Sequence, residues 1–162
     1  MKKDFRIVTI KPEYNSALAV IIRKSLEEHN ANKPGTVYFD PTTDNLSTLF
    51  STKGSQYFVL LSGNKVAGGA GYFPTEGLPE GTCELVKMYL SADFRNQGLG
   101  KLMLNHTIQK ARADGYKQMY IETLPELTTA IPLYEKTGFH FLDGPLGNSG
   151  HFGCTVWMLM RL

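Results

Sequence analysis

The sequence contains little cysteine, and its histidines are not grouped. Cys83 and Cys154 are the two cysteines among 162 residues, and they lie too far apart along the chain to form a CxxC pair. The four histidines form neither an HExxH nor an HxH pattern. These spacings disfavour a zinc site and a redox-active dithiol, so we expect two free thiols and no metal centre.

Long apolar runs and blocks of like charge are also missing. The longest aliphatic run covers residues 17–22, far fewer than the roughly 20 residues that span a bilayer. Seventeen basic and fifteen acidic side chains are interspersed and give a net charge of +2, which disfavours a nucleic-acid-binding protein. Because no apolar stretch follows Lys2 and Lys3, we expect no signal peptide, no membrane association and a cytosolic location.

The length and the apolar content favour one hydrophobic core. Apolar residues make up 42% of the chain, which is ordinary for a globular protein, and 162 residues are too few for two ordinary domains. We therefore expect a single domain over residues 1–162. The sequence leaves open whether the protein is a monomer or a homodimer.

Hydrophobic periodicity divides the chain into interspersed helices and strands. Helical patterns cover residues 13–29, 98–113 and 128–137, and Asp44 can cap a further short helix. Strand patterns cover residues 5–10, 57–61, 65–72, 82–90, 119–124, 139–142 and 154–162. Residues 30–43 read as a loop with room to form a lid. This order predicts an α+β or mixed α/β fold, with helices packed on a central mixed sheet.

A glycine-containing loop joins the strand at residues 82–90 to the next helix. It runs from Arg95 to Lys101, and its glycines allow backbone N–H groups to surround an anion such as pyrophosphate at the helix N-terminus. A Walker A loop would need Ser or Thr at Leu102, and a dinucleotide fingerprint would need Gly or Ala at Met103, so both motifs fail. A plain strand-to-helix turn is the alternative.

The pattern R/Q-x-x-G-x-G/A, which residues 95–100 fit, resembles the coenzyme loop of the GNAT superfamily of acyl-coenzyme A-dependent N-acyltransferases. The resemblance covers residues 83–141 and includes a second motif, the Ala-Ile-Pro-Leu-Tyr-Glu-Lys-Thr-Gly-Phe segment at residues 130–139. It implies a mixed sheet that splays after the strand at residues 82–90. It also implies that acetyl-coenzyme A binds in the resulting gap.

The resemblance implies a set of coenzyme-binding residues. Met88 and Leu90 would bond to pantetheine through their backbone groups, and the loop N–H groups would hold the pyrophosphate. The full implied set is Met88, Leu90, Arg95, Asn96, Gln97, Gly98, Gly100 and Lys101. The sequence departs from the family at Leu127, where an asparagine is often found.

Glu84 is the candidate general base. Strict alternation along residues 82–90 places it on the same face as Val86, Met88 and Leu90, where desolvation raises the pKa of a carboxyl group towards neutrality. Such a carboxylate suits proton removal from an amine nucleophile. Glu84 also lies eleven residues before Arg95, as does the glutamate base in the histone-acetylating branch of the family. An ion pair with a basic group on a neighbouring strand is the alternative.

Tyr134 is the second candidate catalytic residue. It shares a helical face with Ala130 and Leu133, which is also typical of a core aromatic residue. The resemblance implies that its hydroxyl assists departure of the coenzyme A thiolate. His151 lies in a glycine-rich segment, and we expect it to be a solvated loop side chain, with substrate contact as the alternative.

The resemblance implies an N-acetyltransferase that passes acetyl from acetyl-coenzyme A to a primary amine by direct attack in a ternary complex. Glu84 and Tyr134 would be its catalytic residues, and a small-molecule amine is the expected acceptor. Three alternatives stay open: a protein acceptor, a coenzyme A-binding sensor or interaction domain without turnover, and a nucleotide-binding regulator.

Overall fold

A seven-stranded mixed sheet forms the centre of the computed structural model, which describes residues 4–162. The strands are β1 (Phe5–Thr9), β2 (Gln56–Ser62), β3 (Lys65–Phe73), β4 (Thr82–Leu90), β5 (Gln118–Thr123), β6 (His140–Leu142) and β7 (Val156–Arg161). The helices are α1 (Asn15–Glu28), α2 (Leu46–Leu49), α3 (Leu99–Ala113) and α4 (Ala130–Thr137). The strand order is β1-β2-β3-β4-β5-β7-β6, and β4 and β5 pair in parallel while the other neighbours are antiparallel. The predicted fold class is confirmed.

Helices cover both faces of the sheet. Leu104 and Ile108 of α3 pack over one face, and Leu18 and Ile22 of α1 pack over the other. Strand β2 is therefore buried on both sides, which explains why its sequence reads as a nearly continuous apolar run. None of the helices within residues 4–162 combines the length and the apolar character needed to cross a membrane.

The predicted cap of the short second helix is wrong. Asp44 forms an ion pair with Arg23 of α1, and Asn45 occupies the N-cap position of α2. The carboxylate of Asp44 is drawn to a guanidinium that is distant in the sequence, which no local capping pattern could indicate. Other predicted boundaries shift by a few residues; the first helix, for example, begins with a 3-10 turn at Pro12–Tyr14.

Strand β4 changes its pairing halfway along. Its register with β5 covers Thr82 to Glu84 and then stops, whereas β5 continues to pair with β7 as far as Thr123. Lys87 has a φ of 51°, and the register with β3 shifts between Gly69 and Gly71. The bulge bends β4 away from β5, so the predicted splay of the sheet is confirmed.

The bulge also reverses the faces of β4. Met88 and Leu90 contact the core beneath α3, whereas Val86 contacts the core beneath α1. The prediction that Glu84 shares one face with Val86, Met88 and Leu90 is wrong for the last two residues. A single irregular residue at Lys87 shifts the alternation for everything that follows it.

The hydroxyl of Tyr57 holds the bulge in place. It donates a hydrogen bond of 2.7 Å to the Lys87 carbonyl, across the intervening strand β3. Glycine is required beneath the ring, because a Cβ atom would lie 2.5 Å from the ring at Gly69 and 2.7 Å from it at Gly71. The glycine-rich sequence of β3 therefore makes room for the side chain that shapes β4.

Candidate functional site

A cavity of about 550 Å³ opens where β4 and β5 separate. The end of β4, the loop before α3, β5 and α4 form its walls. The predicted site residues along these walls are Met88, Leu90, Arg95, Asn96, Gly98, Gly100, Lys101 and Tyr134. Gln97 does not line the cavity, because its exposed side chain donates to the carbonyl of Asp93 at 3.1 Å. We call this space the large cavity.

The loop before α3 presents an array of backbone donors. Asn96 and Gly98 have φ values of 60° and 77°, and a Cβ atom at Gly98 would meet open space. Within residues 4–162, the amides of residues 96–101 have no backbone acceptor, whereas the amide of Leu102 bonds to the Gly98 carbonyl. Free N–H groups at the N-terminus of a 15-residue helix can bind an anion.

Arg95 connects this loop to α1 and to the end of β4 through hydrogen bonds. Its guanidinium donates to Glu28 at 2.7 Å and to the Ser25 hydroxyl and the Leu90 carbonyl at 3.0 Å each. The Glu28 carboxylate offsets much of its positive charge. Lys101, by contrast, is an exposed cation on the first turn of α3.

Tyr134 belongs to the core and to the large cavity at the same time. Its ring is 5% exposed and packs edge-on against Phe139, with 5.8 Å between the ring centroids. Burial raises the pKa of its hydroxyl above the ordinary value of 10. The hydroxyl is therefore a hydrogen-bond donor that keeps its proton at neutral pH.

A second cavity, of about 280 Å³, lies across β4 and is called the small cavity here. Its polar wall includes Asp40, Thr75, Glu84, Lys87, Ser149 and His151. Its apolar wall comprises Leu49, Phe73 and Val86. A narrow space of about 50 Å³ shares Glu84, Lys87 and His151 with the small cavity, and Lys87, Glu122 and Leu127 with the large one. The two cavities therefore meet at β4.

Glu84 stands at this junction, with 3% of its surface exposed. Burial and the charge of Glu122 raise the pKa of its carboxyl to about 7, against the opposing effect of the Thr75 hydroxyl, which donates at 2.8 Å. Within the described residues Glu84 forms no ion pair, since Lys87 pairs with Asp40 at 3.8 Å. The alternative of a structural ion pair across neighbouring strands is therefore not realised.

Two loops that the sequence treats separately meet above Glu84. The Nε2 atom of His151 lies 2.9 Å from the Oδ2 atom of Asp40, and the Gly153 amide donates to the Gly35 carbonyl at 2.8 Å. His151 and Thr42 hold the pKa of the Asp40 carboxyl well below its usual range. The expectation that His151 is a solvated side chain is wrong, because only 18% of it is exposed.

Residues 22–139 match the sequence model of the Acetyltransferase (GNAT) family. The chain belongs to this family. It is 39% identical over 150 residues to the uncharacterized N-acetyltransferase YjgM of Escherichia coli K12, covering 91% of this chain and 89% of that relative. It is also 31% identical over 116 residues to human N-acetyltransferase 8, covering 67% of this chain and 51% of the human protein.

Solved structures of GNAT proteins have the same fold. A GNAT-family acetyltransferase from Staphylococcus aureus Mu50 superposes with a TM-score of 0.86 at 19% identity, over 98% of this chain and 99% of that one. The PaiA N-acetyltransferase of Thermoplasma acidophilum, solved in complex with coenzyme A, superposes with a TM-score of 0.76 at 14% identity, over 98% and 99% of the two chains. The family resemblance of the sequence is confirmed.

Glu122 also lies at this junction, but neither GNAT motif indicates a role for it, so the sequence does not predict it as a site residue. Its two carboxylate oxygens accept hydrogen bonds from Tyr120, at 2.8 Å, and from Ser149. Ligand atoms of Glu84, Glu122 and His151 all lie within 4.8 Å of one another, which is the spacing of a candidate cation site. The expected absence of a metal stays a prediction. Glu84, Glu122 and His151 lie close together only because β4, β5 and the loop after β6 meet in the folded chain.

Proposed function

We propose that this GNAT-family protein transfers the acetyl group of acetyl-coenzyme A to a small primary amine by direct attack in a ternary complex. The observation that carries the proposal is the position of Glu84, a buried carboxyl group with a pKa of about 7 at the junction of two cavities. Coenzyme would enter the large cavity and the amine would enter the small one. Residues 1–162 act in this proposal as one domain.

Pantetheine fits the open side of β4. The Ser91 amide bonds to the Ala67 carbonyl, so alternation turns the peptide groups of Leu90 away from β3 and towards the large cavity. The Leu90 carbonyl already accepts from Arg95, which leaves the amide for the coenzyme. Met88 lines the same wall, and we assign its N–H to the thioester carbonyl. The complex of PaiA with coenzyme A supports this choice of ligand.

The pyrophosphate would bind to the N–H groups of residues 96–101. Asn96 and Gly98 take the left-handed torsions that turn successive amides towards one point, and the dipole of α3 favours negative charge there. Lys101 adds a cation at the rim. Arg95 acts by holding the loop against α1, since Glu28 pairs with it.

Glu84 would act as the general base. An alkylammonium ion has a pKa of about 10.4, so forming the free amine near pH 7 costs roughly 4 kcal/mol, and this proton must leave for solvent before the nitrogen has a lone pair with which to attack. As the amine attacks the thioester carbon its nitrogen becomes acidic, and the ionised Glu84 carboxylate accepts the proton that it then loses, directly or through water. Direct attack forms the C–N bond first, and the C–S bond then breaks.

Tyr134 would assist the departing sulfur. A thiol has a pKa of about 8.5, well below that of the buried Tyr134 hydroxyl, so full proton transfer to the thiolate is unfavourable. A hydrogen bond that strengthens as negative charge develops on sulfur stabilises the transition state instead. The thiolate leaves and takes up a proton from solvent.

The test is release of free thiol from acetyl-coenzyme A with a panel of small primary amines, combined with mass measurement of the acetylated product. Acetyl-coenzyme A should also raise the melting temperature according to its concentration and affinity, whereas ATP should not. Thermal stabilisation without turnover on any small amine or peptide would establish the coenzyme A sensor instead. Stabilisation by ATP alone would establish the nucleotide-binding regulator.

A further inference from the structure

Lys87 is buried at the junction of the two cavities. Its side chain is 3% exposed, and within residues 4–162 its Nζ atom has no hydrogen-bond partner. An ammonium group carries three N–H donors, and a buried polar group left unpaired is strongly destabilising. The part of the fold that is described therefore holds an ammonium group in a position where it has no acceptor.

Asp40 does not supply that acceptor. Its nearest carboxylate oxygen lies 3.8 Å from Nζ, beyond hydrogen-bond distance. The same carboxylate already accepts from His151 at 2.9 Å and from the amide and hydroxyl of Thr42 at 2.9 and 2.7 Å. Asp40 thus provides a favourable charge for Lys87 while its hydrogen bonds are made elsewhere.

The surroundings of Lys87 define what could bind there. It lines the small cavity together with Glu84, Asp40 and His151. Burial and, to a smaller extent, the charge of Arg23 lower the pKa of Lys87, whereas the carboxylates of Asp40 and Glu84 favour its charged form. Because of the bulge, Lys87 and Glu84 face this same cavity although they lie three residues apart on one strand. A proton acceptor and a buried cation therefore stand side by side at the acceptor end of the site.

We propose that Lys87 binds a carboxylate of the acceptor, so that the acceptor class is an amino carboxylate such as an α-amino acid. The inference rests on the proposed function, since it places the acceptor amine at Glu84. In an α-amino acid the amine and the carboxylate are attached to the same carbon, so Glu84 and Lys87 can serve both groups at once. The apolar wall of Leu49, Phe73 and Val86 would receive an aliphatic side chain.

The first test compares acceptors that differ only in the carboxylate: L-leucine, L-leucinamide and isoamylamine. With the wild-type protein, kcat/KM should be about 10- to 100-fold higher for L-leucine than for the other two, as expected for hydrogen bonds to a buried charge. Equal rates, or faster acetylation of isoamylamine, would overturn the carboxylate site and leave the proposed function standing.

The second test uses Lys87→Met, with the exposed Lys53→Met as the matched control. Lys87→Met should bring kcat/KM for L-leucine down to the level of isoamylamine measured with the same variant, whereas Lys53→Met should keep the wild-type ratio of the two rates. A Lys87→Met protein that still prefers L-leucine would assign the preference to another group and overturn the inference. If the variant does not fold, the wild-type comparison still decides.

A binding measurement separates the inference from the proposed function. Calorimetric titration of N-acetyl-L-leucine into the protein saturated with coenzyme A requires no turnover. Binding at least tenfold tighter than that of N-acetyl-isoamylamine would support the carboxylate site even if no amine were acetylated, which would itself remove the proposed function. Equal affinities for the two compounds would remove the carboxylate site whether or not transfer occurs.

Discussion

The large and small cavities lie on either side of β4 and are built in different ways. The large cavity takes about half of its lining residues from two stretches close together along the chain, the end of β4 and the loop before α3, and this loop offers backbone N–H groups. The small cavity is lined by side chains from segments as distant as Asp40 and His151. This difference agrees with the proposal that the large cavity binds the coenzyme and the small cavity selects the acceptor.

Because the two cavities are built from different groups, a substitution has different consequences in each of them. Backbone donors in the large cavity are removed only by changing the course of the chain, as at the left-handed Gly98. Functional groups in the small cavity can be removed one at a time, with little effect on the backbone. Variants of the two cavities should therefore separate coenzyme affinity from acceptor chemistry.

The largest effect is expected for Glu84→Gln on the acceptor side. The amide keeps the shape of the carboxyl group but cannot accept a proton, so kcat/KM for the amine near neutral pH should fall by roughly 10² to 10⁴. Wild-type kcat/KM should rise with pH through an apparent pKa of about 7, and the variant should lack that step and recover partly at high pH. Initial rates of thiol release against pH provide the measurement.

Stability measured on the same variant tests the cause of that pKa. Because the folded pKa of about 7 lies above the ordinary value of 4.5, the folded state holds the proton more tightly, and wild-type stability falls as pH rises from about 4.5 to 7. Glu84→Gln should avoid this loss, which is on the order of 3 kcal/mol at pH 8. The exposed Glu80→Gln is the control. Equal destabilisation of Glu84→Gln at pH 5 and pH 8 would contradict the base assignment.

Tyr134→Phe tests the large cavity, and its expected effect on activity is smaller than that of Glu84→Gln. The ring stays packed against Phe139, so the melting temperature and the affinity for acetyl-coenzyme A should change little. Loss of one hydrogen bond to the departing sulfur should lower kcat by about 10- to 1,000-fold. Single-turnover measurements on the preformed complex test this directly. An unchanged kcat with a good acceptor would leave Tyr134 as a core residue only.

The sequence predicts the large cavity well because its information is local. The spacing of Arg95, Gly98 and Gly100, and of Tyr134 within its helix, indicates both motifs without knowledge of the packing. These motifs resemble those of the GNAT superfamily, and that resemblance implies the splayed sheet.

The small cavity could not be predicted in the same way. The alternation rule fails at Lys87, where a bulge depends on Tyr57 and on glycines in another strand. The contact between Asp40 and His151 joins loops 111 residues apart. The sequence indicates a loop at residues 30–43 and a glycine-rich segment around His151, but only tertiary packing determines that they meet at Glu84.

Gly98→Val should weaken coenzyme binding by about tenfold. Its φ of 77° is costly for a β-branched residue, so the loop must shift and its N–H groups lose their common direction. The thermal shift produced by acetyl-coenzyme A should shrink, while kcat at saturating coenzyme stays near normal. Gly63→Val is the matched control, since Gly63 has a φ of 58°, open space around it and a position in the β2–β3 turn. An undiminished thermal shift in Gly98→Val would remove the loop from the coenzyme site.

The smallest effect is expected for Tyr57→Phe, which tests whether one bulge organises both cavities. Removing the hydroxyl leaves the buried Lys87 carbonyl without its donor and should lower the unfolding free energy by about 1–2 kcal/mol, or a few degrees in melting temperature. Because the bulge turns Lys87 to the small cavity and Met88 to the large one, KM for acetyl-coenzyme A and KM for the acceptor should both rise severalfold. Tyr116→Phe is the matched control, since its hydroxyl donates to the Gly54 carbonyl at an exposed position away from both cavities. A change confined to one KM would mean that the two halves of β4 respond independently.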